Sequence, residues 1–207
     1  MIRATQCPMC RGNNLEVIRE AKFFFPGTDI EKNLIDIRYE RLWILFEKIL
    51  KDRSPLELQV MLCKSCGFIF TNPRFTVEEM SIKYAVINEL GSVKKRYQVS
   101  PPSNLDARAR RIYSLTMGLM KIKNKGLKIL DYGGAWGYNL IPFVESGNQF
   151  CYILDYEKWD LPYGIEYLGE DLVELEPNEL FDVILCLHTL EHAIEPMSLL
   201  QGLSAHL

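Results

Sequence analysis

Long apolar runs are missing from this 207-residue chain. The longest span four or five residues, Trp43 to Phe46 and Val183 to Leu187, whereas a membrane helix needs about 20. The opening Met-Ile-Arg-Ala-Thr-Gln-Cys-Pro also lacks the apolar core of a signal peptide. No membrane association and a cytoplasmic location are therefore expected. Positive charge is scarce in the second half, where residues 129–207 carry fourteen Asp/Glu and one base, Lys158. Phosphate contacts need positive charge, so nucleic acid is disfavoured as a partner of that half. The ten Lys/Arg of residues 94–128, set against Asp106 alone, read first as a solvated helix face. What remains is an ordinary globular composition, at a length that holds one large domain or a small and a medium one.

A glycine is missing too, and its absence is informative. Residues 127–140 read Leu-Lys-Ile-Leu-Asp-Tyr-Gly-Gly-Ala-Trp-Gly-Tyr-Asn-Leu. The apolar run ends in Asp131, small residues follow at Gly133, Gly134, Ala135 and Gly137, and Leu140, Ile141, Phe143 and Val144 can start a helix. Strand, glycine turn and helix start is the geometry that brings backbone N–H groups close to a ligand. A dinucleotide fingerprint requires glycines at its first, third and sixth positions, which here are Gly133, Ala135 and Tyr138. Tyr138 disfavours NAD or FAD. Further apolar runs come at regular intervals. Phe150–Leu154 leads into Asp155, 24 residues after Asp131. Ile165–Leu168 is followed by Glu170 and Asp171, and Phe181–Leu187 by His188-Thr-Leu-Glu191-His192 and a helix after Pro196. This alternation predicts an α/β fold with a Rossmann-like, doubly wound parallel sheet.

The first half carries a different signal. Cys7-Pro-Met-Cys10 and Cys63-Lys-Ser-Cys66 are separated by 52 residues. Two such pairs supply four thiolates, the set that suits tetrahedral Zn2+ in a structural role. Predicted strands at Leu15–Ile18, Leu56–Val60 and Phe68–Phe70 frame them as a zinc ribbon. A redox pair is the rival for either motif alone, but neither opens a helix in a βαβ unit. Disulfides are disfavoured in the cytosol. Cys151 and Cys186 fall in predicted core strands and read as small buried hydrophobes. Between the pairs, the capping box Thr28-Asp-Ile-Glu31 opens a predicted helix over about 30–51, with Leu34, Ile35, Leu42, Leu45, Phe46, Ile49 and Leu50 on one apolar face. A second capping pattern, Thr76–Glu79, predicts a short helix through Tyr84. Gly91 and Pro101-Pro102 mark a linker, and a helix over 105–123 ends at Asn124-Lys-Gly126.

Taken in order, Asp131-x-Gly133-x-Ala135-x-Gly137, Asp155, Asp171 and the Phe181–Pro196 segment resemble the class I S-adenosylmethionine (SAM)-dependent methyltransferases. The resemblance implies roles. Asp131 lies near the methionine amine, Gly133, Ala135 and Gly137 let the backbone approach the methionine moiety, Asp155 receives the ribose hydroxyls, and Asp171 (or Glu170) meets the adenine. Ala135 departs from the family's usual glycine. The cysteine pairs ahead of such a domain are similar to zinc-ribbon-bearing bacterial methyltransferases, a group that includes C-methyltransferases of nucleotide-linked deoxysugars. The implied activity is SAM-dependent methylation of a small-molecule acceptor, a sugar or nucleotide-sugar among the options. The implied cofactors are SAM and structural Zn2+ on Cys7, Cys10, Cys63 and Cys66.

His188-Thr-Leu-Glu191-His192 also matches His-x-x-Glu-His, an inverted zinc-protease signature. That chemistry needs both histidines on one helix face, whereas His188 directly follows a strand, so the protease reading is disfavoured. Beside a cofactor methyl, His188, Glu191 or His192 is a candidate for cofactor contact or general base; a helix-packing role for His192 is the alternative. The expected organisation is a zinc-ribbon domain over 1–72, a helical connector over 73–126 and the first part of a methyltransferase domain over 127–207. A complete family domain resembles seven strands, so a chain ending after the fourth is expected to be a fragment with an exposed sheet edge. A homodimer through that edge or the inserted helix is a further expectation. The competing function is a non-catalytic zinc-ribbon module, binding protein or RNA, with a vestigial cofactor fold.

Overall fold

The computed structural model describes residues 1–24, 44–51, 55–90, 103–120, 126–147 and 149–207. They form two compact units, Met1–Val99 and Ser100–Leu207.

The first unit is built on a three-stranded antiparallel sheet: β1 (Leu15–Phe23), β2 (Leu56–Cys63) and β3 (Ile69–Asn72), in that spatial order. Register sets Leu15 opposite Cys63 and Phe23 opposite Leu56, with a bulge between Val17 and Arg19. The antiparallel pairing therefore delivers the cysteine at the end of β2 to the segment just after Cys10. β1 runs five residues beyond the predicted strand, because β2 supplies partners as far as Phe23. Of the expected inserted helix, a π-helical segment Ile44–Leu50 is present. Its Phe46 and Leu50 pack on Leu56 with Met1, Leu45 and Leu58. The Thr28–Glu31 cap and Leu34, Ile35 and Leu42 lie outside the described residues, as do Gly91 and Pro101-Pro102. Helix α1 (Val77–Leu90) opens on the capping box read from the sequence. Glu79 N–H donates to Thr76 Oγ1 at 3.1 Å, and Thr76 N–H donates to Glu79 Oε2 at 2.8 Å. Glu79 also receives the Met1 amino group. The helix continues past Tyr84 to Leu90.

The second unit opens with α2 (Ser103–Leu119) and then winds a parallel sheet. Its strands are β4 (Leu127–Tyr132), β5 (Gln149–Leu154), β6 (Ile165–Gly169) and β7 (Val183–Leu185), in spatial order β6-β5-β4-β7. Alternating side chains serve opposite faces. Leu127, Ile129, Cys151, Ile153 and Leu185 form one core with Leu140 and Phe143, packed by Ile112, Tyr113 and Met117 of α2. Leu130 and Leu154 form the second core with Phe181, against Tyr152, Leu168 and Leu172. Burial on both faces explains the near-continuous apolar runs. Strand β7 is shorter than the predicted 181–187. Phe181 N–H bonds to His206 carbonyl and Asp182 N–H to Lys128 carbonyl at its start, and the chain leaves the sheet after Leu185. Helices α3 (Ile141–Glu145) and α4 (Pro196–Ser204) complete the unit, each begun by a proline in its first turn. Among the described residues, no helix is long and apolar enough to cross a membrane.

Candidate cysteine cluster and cofactor crevice

In the first unit, the two Cys-x-x-Cys turns are built alike. Arg11 N–H donates to Cys7 carbonyl at 2.9 Å, and Gly67 N–H donates to Cys63 carbonyl at 2.8 Å. The residue after each second cysteine is left-handed, Arg11 at φ 61° and Gly67 at φ 77°. Each turn thus presents two sulfurs in one direction. Lys64 N–H to Asn14 carbonyl, 2.9 Å, ties the turns together. All four Sγ atoms lie within 4.8 Å of one another, with Cys7–Cys66 at 3.7 Å and Cys10–Cys63 at 3.6 Å. A tetrahedron with Zn–S of about 2.3 Å has S···S edges of about 3.8 Å. The donor set and spacing therefore fit a four-coordinate metal, and all four cysteines are free thiols. Burial disfavours the Cys63 thiolate, but the N–H groups of Cys66 and Ser65 and the neighbouring thiols outweigh it and hold Cys63 down to about 6. Cys66 gains from Phe68 N–H, yet burial and the sulfurs of Cys10, Cys63 and Cys7 push it up to about 12. Cys63 and Cys66 are thus pushed in opposite directions, and a cation bound at the cluster would favour the thiolate form of its ligands.

In the second unit, strand order reverses between β4 and β7, the place where doubly wound sheets bind ligands beyond the strand ends. The glycine turn lies there. Gly133 N–H donates back to Leu154 carbonyl (2.8 Å), and Gly137 N–H closes onto Gly134 carbonyl (2.9 Å). Gly133 has φ +74°, and a Cβ there would stand 2.3 Å from Thr189 Oγ1. Gly137 has φ +72°, with a Cβ position 2.8 Å from Ile165 Cδ1. These glycines are required by the approach of the protein's own loop and core side chains. Ala135, the departure from the glycine pattern, nevertheless adopts φ +45°, a conformation costly for a residue with a Cβ.

Two carboxylates flank the turn. Asp131, near the end of β4, is 1% exposed; its Oδ2 accepts from Asn139 Nδ2 at 3.0 Å, while Oδ1 is buried with no hydrogen-bond partner among the described residues. Burial pushes its carboxyl up to about 7, against the Asn139 hydrogen bond and the positive charge of Arg108. Asp155, just past β5, is also buried. Its Oδ2 accepts from Ala135 N–H at 2.9 Å, and its Oδ1 from Trp159 Nε1 at 3.1 Å and Glu157 N–H at 3.3 Å. Burial raises its pKa and these donors oppose the rise. Asp171 is exposed and caps the turn Leu172–Glu174, its Oδ1 accepting from Leu172 N–H (2.7 Å) and Tyr132 OH (3.1 Å).

The loop after β7 borders the same turn. Thr189 Oγ1 donates toward Tyr132 carbonyl (3.2 Å) or Leu187 carbonyl (3.4 Å) and covers Gly133. His188, at φ +58°, is exposed and pairs through Nδ1 with Glu191 Oε1 at 3.2 Å. Burial favours the neutral Glu191, but its own backbone N–H, His188 and His192 hold it below the usual carboxylate range. His192 ends a single 3-10 turn, Leu190–His192, and is exposed. The two histidines thus do not share a helix face, as a His-x-x-Glu-His metal site requires.

Sequence reasoning missed Asn139, Thr189, Trp136 and Trp159. Trp159 follows Asp155 by four residues in a loop, where no periodicity marks it. Its ring lies 4.2 Å from that of Trp136, centre to centre. A family model described as a methyltransferase domain matches residues 104–207. No curated protein matches the chain. With just over half of its length matched, from α2 through α4, the chain belongs to the methyltransferase-domain family.

Proposed function

We propose that the second unit binds SAM and transfers its methyl group to a small-molecule acceptor, with a sugar or nucleotide-linked sugar as the substrate class. The observation that carries the reading is a buried, orphaned oxygen beside a glycine turn at a sheet reversal. Among the described residues no donor reaches Asp131 Oδ1, and leaving such a group unpaired costs about 1–3 kcal/mol. An ammonium group supplies the missing donor and the counter-charge together. Asp155, at the end of the neighbouring strand, is the acceptor for the ribose diol, and Asp171 stands at the next strand end for the adenine amine. The residues present fit SAM. When bound, it supplies a methyl on sulfonium, an already activated leaving group.

What the chain itself contributes is alignment and exclusion of water. Asp131 and Asp155 orient the two ends of the ligand, and the Thr189–Gly133 contact fixes the turn between them. His188 and His192 are the exposed nitrogen bases of the loop bordering the crevice, and Glu191, which despite burial is held below the usual carboxylate range by its own backbone N–H and the two histidines, orients the His188 imidazole. A base is needed only where the accepting atom must lose a proton. In the first unit, Cys7, Cys10, Cys63 and Cys66 hold Zn2+ in a structural role, as a closed four-thiolate set leaves no open coordination position.

Calorimetric titration tests the cofactor. SAM is expected to bind and NAD to give no heat. Asp155→Ala is expected to weaken SAM by about 1.5–3 kcal/mol, the scale for hydrogen bonds to a charged group. Equal SAM affinity in variant and parent refutes the ribose assignment. Methyl transfer from labelled SAM to nucleotide-linked deoxysugars tests the acceptor, and retention of RNA or protein without turnover supports the non-catalytic reading instead.

A further inference from the structure

Asp155 is already occupied. A carboxylate offers about four acceptor sites over its two oxygens. Trp159 Nε1 and Glu157 N–H both point to Oδ1, and Ala135 N–H to Oδ2. With these donors, all that the described residues supply, one acceptor site remains on a side chain only 4% exposed, whereas a cis-diol bound by both hydroxyls needs two. Two of the three present donors are main-chain groups, held by the glycine turn and by the chain just past β5. Trp159 is the only side chain among them. It belongs to residues 156–164, which form neither helix nor strand between β5 and β6, so its departure breaks no sheet pairing. Trp159 is itself only 8% exposed, its ring between those of Trp136 at 4.2 Å and Tyr156 at 6.4 Å.

We propose that Trp159 gates the ribose site: its indole N–H holds the acceptor oxygen of Asp155, and a cis-diol-bearing nucleoside binds by displacing it. The inference rests on the reading of this crevice as a SAM site. The gate keeps a buried carboxylate paired while the crevice is empty, which avoids the cost of an unsatisfied buried charge. The same contact lowers affinity for any ligand that needs Asp155, because the indole bond is surrendered on binding. A ligand without the diol does not compete for Oδ1 and is blind to the gate.

Trp159→Phe keeps an aromatic ring against Trp136 and removes the donor. Binding is measured with S-adenosylhomocysteine, adenosine and 2′,3′-dideoxyadenosine. Separately, 5-fluorotryptophan labelling gives one 19F resonance for each of the three tryptophans, and Trp159→Phe assigns its own by removing it. The proposal expects the Phe variant to bind S-adenosylhomocysteine and adenosine on the order of tenfold more tightly, the lower end for loss of a competing bond to a charged group. It expects dideoxyadenosine binding to be unchanged and the Trp159 resonance of the parent to shift on adding S-adenosylhomocysteine. Equal or weaker binding of adenosine and dideoxyadenosine alike, with an unmoved Trp159 resonance, overturns the gate and leaves the cofactor reading standing. Failure of both proteins to bind any of the three ligands overturns the cofactor reading and the gate together.

Discussion

Replacing Asp131 by Asn changes little in shape and removes a charge that the fold has buried. The carboxyl rises from an ordinary 3.8 to about 7, chiefly through burial. At about 1.4 kcal/mol for each tenfold change in proton affinity, that is about 4 kcal/mol between the two protonation states. The folded pKa lies above the unfolded one. The neutral carboxyl's contribution to stability is therefore full below about pH 4 and is lost as pH rises through about 7. Asn stays neutral throughout. The stability of the Asn variant minus that of the parent should grow from pH 4.5 to pH 8 by at least about 2 kcal/mol, allowing for relaxation around the charge. For a unit of this size 1 kcal/mol moves the melting point by about 4–8 °C. Melting at pH 4.5, 6 and 8, followed by fluorescence of Trp136 and Trp159 in the same unit, reads the difference. The amide introduced by Asn adds a pH-independent offset and leaves the slope intact. A difference that does not change with pH refutes the reasoning, because the charge then has compensation that the structure does not contain. A ligand ammonium at Oδ1 should restore the ionised form, so SAM binding near pH 6.5 is expected to release protons, measured as a dependence of calorimetric heat on buffer ionisation.

Metal analysis of the purified chain should return one Zn2+ per chain; Cys63→Ser should lose the metal and lower the melting temperature of the first unit, and a metal-free parent with an unaltered Cys63→Ser melt defeats the assignment. Gly133→Ala should cost at least about 2 kcal/mol, since φ +74° and a 2.3 Å approach to Thr189 Oγ1 both oppose a Cβ. Gly147→Ala shares a left-handed φ of +76° but meets nothing within 4 Å, so about 1 kcal/mol is expected from chemical denaturation. Equal losses in the two variants would show that the loop after β7 does not press on the turn. Combining Gly133→Ala with Thr189→Gly should recover part of the first loss, as side chains in contact are not additive.

Much of the fold follows from local pattern. Near-continuous apolar runs specify the strands of the second unit, the spacing between them suits parallel crossovers, and Thr76 and Glu79 carry their own helix start in the sequence. The cysteine cluster was equally legible, because Cys-x-x-Cys folds into its turn over a few residues and two such turns can bring four thiols together. The positions of Asp131 and Asp155 at strand ends were readable for the same reason. Their states were not. That Asp131 keeps one oxygen without a donor depends on Asn139 eight residues on and on a buried face formed by distant strands. That Asp155 is held by Trp159 and Ala135 depends on two loops meeting across the sheet. Thr189 against Gly133 joins residues 56 apart in the sequence, a contact no window of sequence contains. Sequence by itself determined that Asp131, Asp155 and Asp171 lie at or just past strand ends, since the apolar runs that make the strands stop there. Only the tertiary structure decided what each of them touches, because burial and hydrogen-bond occupancy are properties of the packed chain.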